Sequence, residues 1–260
     1  RDFCLSRGLG DVYKRQDLLS LVVDSENASQ AAHIGQILHG WQRNREYSEM
    51  NRVLLTGATG LVGSCLLRLL IDDPRVDEII APSRRALPAM NKVVNPVEAD
   101  LTDVLRPLEA PLTTVFCCLG TTRKQAGSKE AFIHVDYTLV VDTALNALRL
   151  GARKMLVVSA HGANRHSPFL YNRVKGEMEN ALRHQAWPSL TVVRPSLLLG
   201  ERKDKRRGES LMDPLFAWLP GNWRAVSAQD VARCLHHQAF AEENTGFTLI
   251  ESGAIPRVSA

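Results

Sequence analysis

The sequence predicts a doubly wound α/β fold, in which a parallel sheet is covered by helices on both faces, with a small substrate-binding portion towards the C-terminus. Three observations predict it. Short, wholly apolar runs recur along the chain, amphipathic helical stretches separate them, and a glycine-rich turn joins the first run to the first helix. Short strands without polar residues are typical of parallel sheets that are buried on both faces.

Strands and helices alternate along the chain. Strands are predicted at 53–55, 76–81, 92–97, 115–119, 155–158 and 190–193. Helices are predicted at 64–72, at 132–150, where Gly151 marks the end, and at 175–184.

The first 49 residues differ from the rest of the chain. Residues 1–16 show no helical or strand period, whereas 34–41 have the apolar spacing of an amphipathic helix, which could pack on the domain or remain separate from it. We expect residues 1–49 to form an N-terminal extension outside the fold. Residues 50–260 are expected to form one nucleotide-binding domain, which begins at Met50, directly before the first strand. Substrate-binding elements are expected mainly in 196–260.

Composition excludes several classes of protein. The chain has 260 residues, of which 45% are hydrophobic and 23% charged, values typical of a soluble globular protein rather than a disordered chain, a collagen or a coiled coil. A net charge of +4 is too small to indicate nucleic-acid binding. The five cysteines form no C-x-x-C pair, so no metal site is predicted and free thiols are expected.

No stretch of the sequence predicts a membrane span or secretion. The longest charge-free apolar stretch, 53–67, is interrupted by glycines and is shorter than the ~20 residues that a span needs. No basic segment followed by an apolar core stands near the N-terminus. We therefore expect a cytoplasmic protein.

The turn after the first strand has the spacing G-x-x-G-x-x-G and is predicted to bind a dinucleotide. Gly57 permits the tight turn, Gly60 lets the backbone approach a pyrophosphate, and Gly63 allows close packing of the helix. The backbone of Thr59 and Leu61 completes the site, because the N-terminus of the helix attracts an anion. The alternative is a turn with a purely structural role.

The end of the second strand indicates which dinucleotide is bound. NAD-binding chains carry an acidic residue about 20 positions after the turn, where this chain has Ser83, Arg84 and Arg85. Two guanidinium groups favour NADP(H) over NAD(H), because they can hold the 2′-phosphate. The alternative is that both are solvated. Asp100 and Leu101 follow the third strand, where this fold places groups that contact the adenine; alternatively, Asp100 caps a helix.

A Y-x-x-x-K spacing indicates acid–base chemistry. Tyr171 and Lys175 share one face of a helix, and a nearby ammonium is expected to lower the pKa of the phenol towards neutrality. Ser159 ends the fifth strand, at the edge where open α/β sheets place their sites. Its hydroxyl is predicted to hold a substrate carbonyl oxygen.

These motifs together resemble the short-chain dehydrogenase/reductase superfamily, in particular the atypical group that includes the Tat-interacting protein. The resemblance covers about residues 50–252, and the segments that carry it are 56–63, 116–122, 169–177, 194–195 and 230–232. It implies a Rossmann fold, NADP(H) and a Ser-Tyr-Lys site formed by Ser159, Tyr171 and Lys175. It further implies hydride transfer to or from a small carbonyl or alcohol substrate.

The resemblance also assigns residues near the nicotinamide. Leu119, Gly120 and Thr121 are expected to line that half of the cofactor. Many members of the superfamily use an asparagine in a proton relay, and the matching position here is Asp136. A carboxylate there puts the asparagine relay in doubt, although it could orient a water.

Two other functions stay open. The first is a non-catalytic NADPH-binding regulator that acts through a protein partner, in which Tyr171→Phe would abolish nothing. The second is a nucleotide-sugar epimerase or dehydratase, which uses the same three residues. Such enzymes need a larger substrate-binding lobe than the stretch after Pro195 is expected to supply.

Overall fold

The computed structural model describes residues 50–108, 111–196, 198–199, 225–241 and 245–258. The chain divides into two units, Arg1–Glu49 and Met50–Ala260, and every described residue lies in the second. The helix predicted over 34–41 therefore lies outside the described residues, as does much of 196–260. The assignment of these two segments to an extension and to substrate binding stays a prediction.

The main sheet has seven parallel strands in the order β3-β2-β1-β4-β5-β6-β9. The strands are β1 Arg52–Thr56, β2 Glu78–Ile80, β3 Val93–Val94, β4 Thr114–Cys117, β5 Lys154–Val158, β6 Ser189–Arg194, β7 Leu198–Leu199, β8 Val226–Ser227 and β9 Gly246–Glu251. β7 and β8 pair with each other in a separate parallel pair. The strand order reverses between β1 and β4, which creates the crevice where doubly wound sheets bind ligands.

Helices connect these strands. They are α1 Leu61–Asp72, α2 Leu101–Leu105, α3 Arg123–Ala126, α4 Lys129–Ile133, a π-helical turn His134–Thr138, α5 Leu139–Arg149, α6 Leu170–His184, α7 Ala228–Phe240, a 3₁₀ turn Ser252–Ala254 and α8 Ile255–Val258. In the described parts of the chain, none of the helices has the length and apolar character needed to cross a membrane.

The sheet separates two apolar cores, because successive residues of a strand point to opposite faces. Val53 and Leu55 of β1 join the core under α1 and α7, whereas Leu54 between them joins the core under α2, α5 and α6. Helices therefore cover both faces, and the predicted doubly wound fold is confirmed.

The structure differs from the predicted elements in several places, and it also contains short elements that were not predicted, namely β7, β8, α3 and α8. The single helix predicted over 132–150 is three segments, because a π-helical turn at His134–Thr138 interrupts it. π-Helical turns of this kind frequently mark functional sites. The strand β9 and the helix α7 were not predicted. β9 is an edge strand whose apolar residues alternate with polar ones and are partly exposed, as Phe247 is, so it lacks the continuous apolar run used to predict the other strands. Gly151 follows α5 with φ of 87°, as predicted for a helix end.

Candidate functional site

The glycine-rich turn after β1 is held by contacts that leave no room for larger residues. Gly57 has a φ of 81°, and a Cβ on it would lie 2.5 Å from the carbonyl oxygen of Cys118 after β4. A Cβ on Gly63 would lie 2.1 Å from the carbonyl oxygen of Gly57. Gly63 thus lets α1 close directly onto the turn, and Gly57 lets the turn lie against the strand next to it.

The N-terminus of α1 is suited to bind an anion. Gly60 precedes the helix without a side-chain cap, and the first turn of α1 contains no acidic residue. Gly60 donates its own amide to the Gly57 carbonyl oxygen at 2.9 Å, which fixes the turn. Thr59 and Gly60 are exposed. Because the first amides of a helix have no partner within it, and the positive end of the helix dipole lies beside these two exposed residues, the arrangement fits a pyrophosphate.

The segment after β2 is ordered around Asn95. The Asn95 amide donates to the Ser83 hydroxyl at 2.8 Å and to the Ala81 carbonyl oxygen at 2.6 Å, and the Ser83 hydroxyl donates to the Arg85 carbonyl oxygen at 2.6 Å. These bonds fix the backbone that carries Arg84 and Arg85. Both arginines are exposed, and neither forms an ion pair with another described residue.

Asp100 caps a helix, which is the alternative weighed from the sequence. Its carboxylate accepts a hydrogen bond from the Thr102 amide at 2.9 Å, and this bond lowers the pKa of Asp100. Leu101 begins α2. The contact of Asp100 and Leu101 with adenine stays a prediction. Capping engages the Asp100 carboxylate, but the segment still lies beside the sheet.

A buried ion pair lies at the centre of the candidate site. The ammonium of Lys175 lies 2.8 Å from Oδ1 of Asp136, and both side chains are almost completely buried. The other oxygen of Asp136 accepts the Thr121 amide at 2.9 Å. Gly120 lies against the pair, since a Cβ on it would be within 4 Å of both charged groups. Asp136 thus links the segment after β4 to α6.

Tyr171 lies one helical turn before Lys175 on the same face of α6. Its ring stacks on Phe132 of α4, with ring centroids 5.8 Å apart, and 42% of the residue is exposed. The pKa of Tyr171 is raised above its ordinary value, first because surrounding protein withdraws the phenol from water and also because Asp136 disfavours the phenolate. Lys175 acts in the opposite direction but does not prevail, so the lowered pKa expected from the Y-x-x-x-K spacing is wrong for this arrangement.

Lys175 itself stays charged. Burial, the largest single effect, acts to lower its pKa, but the Asp136 carboxylate together with Tyr171 and Cys117 acts in the other direction, and the pKa of Lys175 is raised above its ordinary value. The described groups that bear charge or titrate and that face this pair are Tyr171 on α6 and Cys117 at the end of β4.

Ser159 directs its hydroxyl into the protein rather than towards an open site. The hydroxyl donates to Oε1 of Glu179, which lies one turn beyond Lys175 on α6. Glu179 is also held by Arg194 at the end of β6, whose guanidinium donates to both carboxylate oxygens, at 2.9 and 2.6 Å. Arg194 donates in turn to Glu251 on β9 at 2.9 Å. In this state the Ser159 proton is engaged, so binding a substrate oxygen requires the hydroxyl to turn.

Sequence reasoning missed Glu179 and the role of Gly176. Glu179 stands eight residues after Tyr171 and four after Lys175, so helical spacing alone places it on the same face. A Cβ on Gly176 would lie 2.2 Å from the Arg165 amide nitrogen, so this glycine lets the segment after β5 pack directly on α6. That contact joins residues distant in sequence and has no local signal.

The structure joins part of the predicted site in one sequence of contacts at the carboxyl edge of the sheet, while the Ser159 hydroxyl binds Glu179 instead. Gly57 lies against the backbone of Cys118 and Leu119, Thr121 binds Asp136, and Asp136 binds Lys175. Arg84 and Arg85 follow β2, the strand next to β1. The segment 200–224, which was expected to contribute to substrate binding, lies outside the described residues.

Comparison with known proteins agrees with this geometry. A family model described as NAD(P)H-binding matches residues 57–242. The protein HTATIP2 of Rattus norvegicus is 32% identical over 211 residues, which cover 78% of this chain and 87% of that protein. The protein named FMP52, mitochondrial, from Candida albicans is 31% identical over 191 residues, which cover 69% of this chain and 83% of that protein.

A solved structure shares the fold. An oxidoreductase of the short-chain dehydrogenase/reductase family from Burkholderia thailandensis has a TM-score of 0.60 and 17% identity, and the match covers 78% of this chain and 92% of that one. Nucleotide-sugar epimerases are similar in structure as well. The fold is thus that of oxidoreductases and epimerases alike.

The cytoplasmic location expected from the sequence is wrong, since fungal relatives are named as mitochondrial proteins. The expectation depended on the lack of an apolar secretion signal. Mitochondrial transit peptides are amphipathic and carry no such core, so that criterion does not separate cytosol from mitochondria.

Proposed function

This chain belongs to the NAD(P)H-binding family, and to the atypical short-chain dehydrogenase/reductase group that includes the Tat-interacting protein, and from that premise we propose that it is an NADP(H)-dependent oxidoreductase. The observation that carries the proposal is the continuous contact from the glycine turn, through Thr121 and Asp136, to Lys175. The turn proposed to bind the cofactor and the helix that carries the proposed proton donor, Tyr171, are thus linked by direct contacts, which supports the proposal.

The described residues fit a dinucleotide. The closely packed glycines and the uncapped N-terminus of α1 provide amides for a pyrophosphate. Lys175 would hold the nicotinamide ribose, and Leu119, Gly120 and Thr121 would line the nicotinamide. When bound, the dinucleotide supplies or accepts a hydride at C4 of its nicotinamide.

The chain's own residues would supply the remaining steps. Tyr171 would exchange a proton with the substrate oxygen, and Ser159 would hold that oxygen after its hydroxyl turns from Glu179. The substrate is a small carbonyl compound or alcohol. The mitochondrial names of the fungal relatives favour a mitochondrial location for this chain as well.

The preference for NADP(H) depends on Arg84 and Arg85. Both are exposed and without an ion pair among the described residues, and the backbone that carries them is fixed by Asn95. A 2′-phosphate would pair with both, and a charge-assisted hydrogen bond contributes about 1.5–3 kcal/mol. Because about 1.4 kcal/mol is a factor of ten in affinity, we expect Arg84→Ala and Arg85→Ala each to weaken NADPH binding about 10- to 100-fold and to leave NADH binding unchanged.

Fluorescence titration with NADPH and NADH measures both affinities. Arg68→Ala is the matched control, since Arg68 is an exposed arginine on α1, outside the segment that follows β2. Equal loss of both affinities, or none, would overturn the preference for NADP(H). Failure of the unmodified chain to bind either nucleotide would overturn the proposed function.

Catalysis is tested separately with Tyr171→Phe and a panel of carbonyl substrates. An oxidoreductase loses carbonyl reduction in this variant but still binds NADPH, because the change removes only the proton donor. A regulator that acts through a protein partner would show no reductase activity to lose. Exchange of configuration at a sugar carbon, without net oxidation of NADPH, would favour the epimerase instead.

A further inference from the structure

Asp136 holds two parts of the candidate site at once. Its side chain is completely buried, and one carboxylate oxygen lies 2.8 Å from the ammonium of Lys175 on α6. The other oxygen accepts the amide of Thr121, after β4, at 2.9 Å. Asp136 belongs to the π-helical turn His134–Thr138, an irregularity of a kind that is frequent at functional sites. One carboxylate therefore fixes an ammonium and a backbone segment relative to each other.

The segment that Asp136 holds borders the crevice between β1 and β4. The strand order reverses between these two strands, which is where doubly wound sheets bind ligands. A Cβ on Gly57 would lie 2.9 Å from the Leu119 amide nitrogen, so the chain after β4 runs directly against the glycine turn. A Cβ on Gly120 would lie 3.6 Å from the Asp136 carboxylate and 3.7 Å from the Lys175 ammonium, which are ordinary contacts. Gly120 thus leaves space for a methyl-sized group beside the ion pair.

The Lys175 ammonium needs this carboxylate to remain in place. Lys175 is almost completely buried, and a buried ammonium without a counter-charge is destabilised enough to lose its proton or to turn away towards water. An ammonium has three protons to donate, so pairing with Asp136 leaves donors for the hydroxyl groups of a ligand in the crevice. Asp136 therefore sets both the charge and the direction of this side chain.

We propose that Asp136 is a positioning residue for the nicotinamide half of the dinucleotide. It places the Lys175 ammonium and the Thr121 backbone so that together they hold the nicotinamide ribose in one orientation. The adenosine half, which is assigned to the glycine turn and to Arg84 and Arg85, binds without it. The inference rests on the proposed function, because it takes the ligand to be NADP(H), and it adds a role that concerns one half of that ligand only.

The ligand 2′,5′-ADP separates the two halves, because it contains the adenosine with its 2′-phosphate and lacks the nicotinamide nucleotide. Isothermal titration calorimetry of the full chain measures its affinity and that of NADPH. We expect Asp136→Asn to weaken NADPH binding about tenfold, the size of effect of one charge-assisted hydrogen bond, and to leave 2′,5′-ADP binding within about twofold of the unmodified chain. NADPH still binds this variant through its adenosine half.

Saturation-transfer NMR shows directly which half of NADPH lies against the protein. In the unmodified chain, we expect ring protons of both the nicotinamide and the adenine to receive saturation. In Asp136→Asn the nicotinamide signals should fall relative to the adenine signals, because the nicotinamide ribose is no longer held. A substitution that only loosened the fold would lower both sets of signals together.

Asp142→Asn is the matched control, because it removes the same charge from α5, the helix directly after the π-helical turn. It should change neither affinity nor the ratio of the NMR signals. Equal weakening of NADPH and 2′,5′-ADP by Asp136→Asn would overturn the proposal. NADPH affinity and nicotinamide signals equal to those of the unmodified chain would overturn it as well.

Asp136→Asn leaves Lys175 buried without its counter-charge and can fail to fold for that reason. Asp136→Glu keeps the charge and adds one methylene, for which the space beside Gly120 leaves room. Because the carboxylate moves by roughly one carbon–carbon bond, it no longer holds the ammonium and the Thr121 amide in the same arrangement. NADPH binding and the nicotinamide signals should again fall while 2′,5′-ADP binding stays. A folded Asp136→Glu chain that binds NADPH like the unmodified chain would overturn the proposal.

Failure of the proposed function gives a different result. A chain that binds neither NADPH nor 2′,5′-ADP has no dinucleotide site, and the proposed function fails together with this inference. A chain that binds both, and in which Asp136→Asn behaves like Asp142→Asn, keeps its dinucleotide site but not the role of Asp136. If the chain prefers NADH, then NADH and 5′-AMP replace the two ligands in the same comparison.

Discussion

Replacing Gly63 by alanine tests whether the glycine turn and α1 form one unit that binds the dinucleotide. Gly63 is a buried helical residue with ordinary helical geometry, so the substitution introduces a steric change without backbone strain. The added Cβ would lie 2.1 Å from the Gly57 carbonyl oxygen, against an ordinary contact of at least 3.4 Å. The helix or the turn must therefore move by about 1.3 Å, and the obstructing atom is backbone rather than a flexible side chain.

The expected cost combines two opposing effects. Alanine in place of glycine inside a helix stabilises by about 0.5–1 kcal/mol, whereas overpacking costs about 1–3 kcal/mol. Because the clash is with a tight backbone turn, the cost is at the upper end, which leaves a net loss of about 2 kcal/mol. For a domain of about 200 residues this lowers Tm by roughly 4–8 °C. A shift of about 1 Å also misaligns the amides, and we expect NADPH binding to weaken about tenfold or more.

Thermal unfolding and NADPH titration measure both effects. Gly151→Ala is the matched control. Gly151 has φ of 87°, so alanine introduces backbone strain there, but the added Cβ would meet nothing within 4 Å. It follows α5 at the opposite edge of the sheet, so its strain of about 1–2 kcal/mol should leave NADPH affinity unchanged. A Gly63→Ala protein with unchanged Tm and with NADPH affinity within about twofold of the unmodified chain would refute the reasoning.

Two further predictions concern charged contacts. Glu179→Gln removes the carboxylate that accepts the Ser159 hydroxyl and pairs with Arg194. It should lower the free energy of unfolding in urea by about 3 kcal/mol and reduce carbonyl turnover by the protein that remains folded. Glu177→Gln, which changes an exposed neighbour, should alter neither quantity. Equal behaviour of the two variants would contradict this role. At the other edge of the sheet, Arg75 holds the pKa of Asp73 well below its usual range, so Asp73 stabilises the fold above about pH 4 and this contribution fades as pH falls further. The difference in unfolding free energy between the unmodified chain and Asp73→Asn should therefore be constant near neutrality and shrink below about pH 4; a difference independent of pH would show that the charge of Asp73 does not matter.

The parts of the site that sequence predicts well are those with a local pattern. The glycine turn follows a strand and precedes a helix, so three glycines within seven residues predict its position and its packing. Tyr171 and Lys175 share a helix face because four residues make about one turn. The alternation of apolar runs and helices likewise predicts a parallel sheet with helices packed on both of its faces.

The parts that sequence did not predict depend on contacts between distant segments. Asp136 reaches Lys175 because a π-helical turn interrupts a helix, and no local pattern of residue types predicts that interruption. The direction of the Ser159 hydroxyl depends on Glu179 and Arg194, which come from different elements. The pKa of Tyr171 also depends on distant segments: burial raises it first and the Asp136 carboxylate raises it further, whereas the spacing predicted only the ammonium that acts against both.

The buried pair of Asp136 and Lys175 favours an enzyme over a regulator that only binds NADPH. Burying two charges costs desolvation that their attraction does not reliably repay, and apolar residues of similar volume often stabilise such a position equally well or better. Binding of a dinucleotide needs the glycine turn, the N-terminus of α1 and cations near the 2′-phosphate, none of which requires a carboxylate under Lys175. The carboxylate instead holds the ammonium one helical turn from Tyr171, a role that the proposed proton exchange needs and that binding of a dinucleotide alone does not.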